Sequence, residues 1–159
     1  MTERHVPAAD SASADRSAEL PYVSVEFAAF CELHEPRYQS YARVWFQEPG
    51  AAHRVVRLAL HAIAAVWPTV LESPNPAAAA WQILRETVTE QHGTAVAAGA
   101  AGIAGTAGLR PDVEGDEDLA ILHYVVGLAT PEIADVMGGD TASITSQLRQ
   151  THRRRTTDW

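Results

Sequence analysis

The chain has 159 residues, of which 47% are hydrophobic, and this is enough to bury the core of one compact domain or of two small ones. Its net charge of −8 argues against a protein that coats nucleic acid non-specifically, although a basic element can still lie on an acidic body. The single cysteine, Cys31, cannot form an internal disulfide, the charged N-terminus lacks the apolar segment of a signal peptide, and no stretch is long enough for a membrane span. We therefore expect a soluble, cytoplasmic protein with no membrane partner.

The first half of the chain carries a helical pattern. Residues 1–21 are polar and lack periodicity, which predicts a disordered arm. From Tyr22 onward, apolar residues recur at three- and four-residue spacings and predict one helix broken or kinked near Pro36, a second after the QEPG turn, and a third that ends at Gly93. Residues 22–92 are thus predicted to form a first helical lobe. Its core is expected to contain three tryptophans, Trp45, Trp67 and Trp81.

A change of composition separates this lobe from the rest. Residues 93–116 are rich in glycine and alanine and then in acids, which predicts a flexible linker. The acidic PDVEGDED is most simply a solvated spacer, with Asp116 capping the next helix. The segment LAILHYVVGL is expected to be helical as far as Gly127, with Leu119, Leu122, Val125 and Val126 on one face, and residues 117–159 to form a second lobe. The predicted fold class is all-α, with two small lobes joined by a flexible linker.

The second lobe contains two short helical patterns on either side of a glycine pair. Thr130 is suited to an N-cap and Pro131 to the first helical position, where its missing N–H has no cost. Gly138 and Gly139 can adopt the positive φ of a tight reversal. This arrangement is typical of a helix-turn-helix, in which the second helix reads a DNA groove.

The second helix of the pair, here called the reader helix, is expected to begin at a cap formed by Asp140 or Thr141. Ile144 and Leu148 lie four residues apart and would anchor it on its predecessor. Residues 141–155 hold four arginines and no acid, and their polar, amide and guanidinium groups suit base edges and phosphates. A structural corner with a cationic end is the alternative, since cations stabilise the carboxyl end of a helix, but the charge asymmetry favours DNA. The predicted DNA contacts are Thr141, Ser143, Thr145, Ser146, Gln147, Arg149, Gln150, Arg153 and Arg154.

Two segments resemble a known family. DEDLAILHYVVGLATPEIADVMGGDTASITSQLRQTHRRR resembles region 4 of sigma factors of the extracytoplasmic-function group (sigma-70 family), and FAAFCELHEPRYQSYARVW resembles the opening of their region 2. The resemblance covers about residues 22–90 and 117–155. It implies that the chain binds core RNA polymerase, that its region 4 contacts the upstream promoter element, and that its region 2 grips the polymerase and opens the downstream element. The matching positions in the second segment are His123, Tyr124, Gly127, Leu128, Thr130, Glu132, Ile133, Ala134, Gly138, Ile144, Leu148 and Arg153 to Arg155.

The first segment also differs from the family. His53, Arg54 and Arg57 stand where the family places acids in the helix that docks on the polymerase, and they are our candidate polymerase-binding residues. The promoter-opening segment, which normally combines basic and aromatic side chains to hold unpaired strands, is mostly alanine here. The alternative interpretation is therefore a degenerate sigma-like interaction module. Such a module would bind an anti-sigma factor or compete at the polymerase without opening promoters.

We do not expect an enzyme. No nucleophile, base and orienting group can be named together, so neither a cofactor nor a small-molecule substrate is predicted. His53 and His61 are two helical turns apart, too far to chelate one ion, and no histidine pair at i, i+4 accompanies a carboxylate, so no metal site is predicted either.

Overall fold

The computed structural model describes residues 24–99 and 116–157. Within these ranges every regular element is a helix, and no β-strand is present. The predicted all-α class is confirmed for this part of the chain. The predicted arm, residues 100–115 of the predicted linker and Trp159 lie outside the described residues.

The helices follow one another with short connections. They are α1 (Val25–Trp45), α2 (Pro49–Ala65), α3 (Trp67–Glu72), α4 (Pro76–Ala97), α5 (Asp116–Ala120) continued by a π-helical turn (Ile121–Val125), α6 (Thr130–Met137) and α7 (Thr141–Thr157).

Two predicted helix interruptions are absent. α1 is continuous through Pro36, so the helix is not broken there. α4 continues through Gly93, where the sequence predicts its end, and stops four residues later at Ala97. A glycine ends a helix when it adopts a positive φ, and in the described chain that conformation occurs at Gly99, Gly127 and Gly138 instead.

Side chains cap several helix starts by accepting backbone N–H groups that lack a partner within the helix. The Ser24 hydroxyl accepts from Phe27 N at 3.2 Å, and the Asn75 amide oxygen accepts from Ala78 N at 3.1 Å. In α6 the N-cap is Ala129 rather than the predicted Thr130, which is the first residue of the helix. Three residues into α6, the Glu132 carboxylate accepts from the N–H of Ala129 at 2.8 Å.

The buried apolar side chains form one cluster, to which both halves of the chain contribute. α2 packs on α1 and α4, whereas α6 packs on α4 and α7, and the π-helical turn reaches α1. The three tryptophans predicted in the core are buried, and Leu122 and Ile133 from the second half join them in the same cluster. The two segments predicted as lobes therefore share a contiguous core.

A buried polar joint links the start of α5 to α1 and α4. Asp118, only 2% exposed, accepts a 2.7 Å hydrogen bond from the Tyr41 hydroxyl and lies 2.5 Å from Nε of Arg85. Burial raises the pKa of Asp118, while the Tyr41 hydrogen bond and the Arg85 guanidinium oppose that rise. Because a buried charge without partners is costly, the contacts of Asp118 with Tyr41 and Arg85 fix the position of α5 against α1 and α4.

Two further polar contacts join α6 to the first half. The Asn75 side-chain amide donates to the carbonyl oxygen of Gly138, directly after α6. A guanidinium nitrogen of Arg37 and a carboxylate oxygen of Glu132 are 3.7 Å apart. Together with the Asp118 joint, these contacts orient α6, and through α6 they orient α7.

Candidate nucleic-acid interface

The predicted bend before the reader helix is present, and the reader helix is α7. Gly138 ends α6 with φ 72°, a left-handed conformation that suits glycine, and Gly139 N donates to Ala134 O at 3.0 Å. Asp140 caps α7 by accepting from Ser143 N at 2.9 Å. Hydrogen bonds with the side chain and then the backbone of Ser143 lower the pKa of Asp140.

One side of α7 is anchored as predicted. Ile144 is 4% and Leu148 7% exposed, and both belong to the core cluster. Of the nine predicted DNA contacts, eight are exposed and Thr145 is half-buried. The polar face of α7 is therefore directed away from the core and is accessible to a partner.

Helical geometry divides that polar face into two stripes. At 3.6 residues per turn, Thr145, Arg149 and Arg153 follow one another at intervals of four and form what we call the arginine stripe. A second set is centred about 130° further around the helix. This amide stripe consists of Ser143, Gln147, Gln150 and Arg154, and Ser146 lies between the two stripes.

The arginine stripe borders a groove that the sequence did not reveal. The groove has a volume of about 470 Å³ and lies between α7 on one side and the π-helical turn with the start of α6 on the other. No carboxylate is among the described residues that line it. The lining residues are His123, Tyr124, Thr130, Thr145, Leu148, Arg149, His152 and Arg153.

The π-helical turn explains why the sequence did not predict the wall of this groove formed by His123 and Tyr124. In a regular α-helix, Val125 would share a face with Leu119 and Leu122, as the sequence predicted. Instead Val126 N donates to Ile121 O, five residues earlier, and the extra residue in this turn rotates the following side chains. Val125 is consequently 62% exposed, and Tyr124 is 50% exposed at the groove. The helical periodicity of the sequence contains no signal for this wider turn.

Arg154 has an acidic partner within the chain. One of its guanidinium nitrogens lies 3.1 Å from Oδ2 of Asp116, at the start of α5. Both side chains are substantially exposed, so the pair contributes little to stability and can exchange for a phosphate. The side chain of Arg155 lies outside the described part of the structure.

The candidate polymerase-binding residues lie elsewhere, on α2. His53, Arg54 and Arg57 are all exposed. His53 Nδ1 lies 3.2 Å from Nε2 of Gln39, and Arg54 pairs loosely with Glu48 at 3.7 Å. Since α2 packs chiefly on α1 and α4, whereas α7 packs chiefly on α5 and α6, the structure does not bring the two candidate surfaces together.

Two other features, a metal-binding cluster and a membrane-spanning helix, are absent from the described residues. Across 24–99 and 116–157, no three histidine, cysteine or acidic side chains are grouped so that they could hold a metal ion. Among the described helices, none has both the length and the apolar character needed to cross a bilayer. Comparison of the chain with family models, with curated proteins and with solved structures finds no match.

Proposed function

We propose that this protein is a sigma-factor-like transcription regulator, which binds core RNA polymerase and contacts promoter DNA through α7. In this proposal the segments 22–92 and 117–159, whose described residues share one core, act as the region 2-like and region 4-like parts of the protein, in the cytoplasm. The observation that carries the proposal is the exposed, acid-free face of α7 on a chain whose net charge is −8. A helix-turn-helix that only contributes to packing and does not bind DNA requires no such face.

The two stripes suggest separate tasks. Guanidinium groups attract phosphates over several ångströms and release counterions from DNA, so the arginine stripe supplies affinity without much sequence preference. Amide side chains can pair with the edge of adenine in the major groove, so Gln147 and Gln150 in the amide stripe supply sequence preference. Ile144 and Leu148 hold both stripes in place from the opposite side of the helix.

DNA binding by the full chain tests this proposal. Binding is measured by fluorescence anisotropy on promoter-length duplexes at several salt concentrations. Arg149→Ala and Arg153→Ala should each weaken binding to all sequences and reduce the slope of log K against log salt by about 1. Gln147→Ala should instead reduce the preference between sequences, by about 1–3 kcal/mol at one base pair.

Arg43 provides a matched control, because it is an exposed arginine on α1, far along the chain from α7. Arg43→Ala removes the same charge and should leave both the affinity and the salt slope unchanged. If the α7 variants bind DNA as tightly as the parent chain, or if Arg43→Ala weakens binding equally, α7 is not the DNA-contacting element.

A second candidate function is supported by the cations on α2. His53, Arg54 and Arg57 present an exposed basic surface where the sigma family is acidic, which suits a partner surface of opposite charge to the one that the family's acids bind. The protein would then be a degenerate sigma-like interaction module that binds an anti-sigma factor or competes at the polymerase. Run-off transcription with core polymerase distinguishes the two candidate functions, because a regulator that initiates transcription yields transcripts. The module is retained by polymerase in a pull-down and yields none, and Arg54→Ala with Arg57→Ala abolishes that retention.

A further inference from the structure

The groove beside the arginine stripe combines cationic and aromatic groups from two separate elements. Arg149 and Arg153 stand one turn apart on α7, with His152 between them in sequence. On the opposite wall lie His123 and Tyr124 from the π-helical turn. Side chains from two helical segments that are distant in sequence converge here around one opening.

The charge around this groove is of one sign. Four of the described lining residues are arginine or histidine, and none of the described lining residues is acidic. Two acids on the neighbouring helices have partners: Glu132 accepts from Ala129 N and pairs with Arg37, and Asp116 pairs with Arg154. An anion in the groove would therefore meet cationic side chains, and none of the described lining residues would repel it.

The histidine on the π-helical turn is held in one orientation. His123 Nδ1 lies 3.1 Å from the carbonyl oxygen of Leu128, and because a carbonyl can only accept, Nδ1 carries the proton. The His123 and Tyr124 rings also meet edge to face, with centroids 4.8 Å apart and planes at 72°. This wall of the groove is consequently ordered before any ligand arrives, which lowers the entropy lost on binding.

We propose that this groove binds a phosphate group of the DNA backbone, so that the π-helical turn is part of the DNA interface together with α7. This inference rests on the proposed function and assigns the groove's ligand. Arg149 and Arg153 supply charge, while the Tyr124 hydroxyl and the His152 ring supply directional hydrogen bonds to phosphate oxygens. The volume of about 470 Å³ and the open shape suit a segment of backbone rather than a small enclosed ion.

The inference is tested with single-atom and near-isosteric variants of exposed groove residues. Tyr124→Phe removes only the hydroxyl, and His152→Gln keeps a polar side chain, so neither should disturb folding. We expect each to weaken duplex DNA binding about tenfold, as the loss of one hydrogen bond to a charged group implies. Thr156→Ala, at an exposed position further along α7 and outside the groove, is the control and should have no effect.

A second arm uses inorganic phosphate instead of DNA. Titration of the full chain with phosphate should shift the NMR signals of the His123 and His152 rings, and Arg149→Ala should abolish the shifts. If the chain binds DNA but Tyr124→Phe and His152→Gln bind it unchanged, the groove inference is overturned while the proposed function stands. If the chain does not bind DNA, the proposed function fails. In that case phosphate-induced shifts retain the groove as a phosphate site, and their absence overturns the inference as well.

Discussion

Replacing Gly138 by alanine tests how closely the turn between α6 and α7 approaches α4. Gly138 has φ 72°, and a Cβ added there would lie within 2.9 Å of Ala78 Cβ and still closer to Ala78 N and the Asn75 side chain. Ala78 N belongs to the backbone of α4 and cannot rotate aside. The substitution therefore forces either the turn or α4 to move.

The expected loss of stability has two parts. An L-residue in the left-handed region costs about 1 kcal/mol relative to glycine. Relieving the overlap separates α6 from α4, weakens the hydrogen bond from Asn75 to the Gly138 carbonyl and loosens the packing, which adds about 2 kcal/mol. Gly138→Ala should therefore lower the free energy of unfolding by about 3 kcal/mol.

Gly127→Ala isolates the first part, because Gly127 has φ 84° but an added Cβ there would meet no atom within 4 Å. It should cost about 1 kcal/mol, from backbone strain alone. Urea unfolding followed by tryptophan fluorescence and by far-UV circular dichroism measures both variants. Equal losses for the two would refute the close approach of Gly138 to α4.

Three further substitutions test the contacts that hold the two halves of the chain together and the burial of a histidine. Asp118→Asn leaves the largely buried guanidinium of Arg85 without its adjacent carboxylate and should lower the free energy of unfolding by about 3 kcal/mol in urea titrations; a loss below about 0.5 kcal/mol would contradict the buried joint. Burial, reinforced by the charge of Arg37, lowers the pKa of His34 below its ordinary 6.5 in the folded protein. As the pH falls, the unfolded chain therefore takes up the proton first. The free energy of unfolding falls as the pH drops from about 6.5 through the folded-state pKa. The urea midpoint of the parent chain should therefore decline between about pH 7 and pH 5 more steeply than that of His34→Gln, and parallel curves would contradict this. Asn75→Ala removes both a helix cap and the bond to the second half of the chain, so it should destabilise by about 1 kcal/mol more than Ser24→Ala, which removes a cap alone; equal thermal shifts would show that the bond contributes nothing.

Much of the local structure could be predicted from the sequence. The three- and four-residue spacing of apolar side chains identified the helices, because that spacing reports the face that each helix buries. It correctly placed Ile144 and Leu148 in the core and the polar residues of α7 outside it. The glycine turn was also predictable, since few other residues tolerate the backbone conformation found at Gly138.

Local patterns were wrong at a glycine that does not end its helix and at a point where the helix type changes. Gly93 was expected to end α4, but a glycine is tolerated within a helix at a modest entropic cost, and α4 runs on to Ala97. Val125 was expected to be buried and is exposed, because the helix widens into a π-helical turn that the spacing of apolar residues does not predict.

The sequence by itself determined that α7 has one anchored side and one polar, acid-free side, since both follow from which residues recur along a single helix. Only the tertiary structure decided what that polar side faces. It joined Asp118 to Tyr41, which is 77 positions away, placed Asp116 beside Arg154, and set His123 opposite Arg149 across a groove. Such pairings depend on how separate helices pack, because side chains from distant parts of the chain meet only once the shared core has formed.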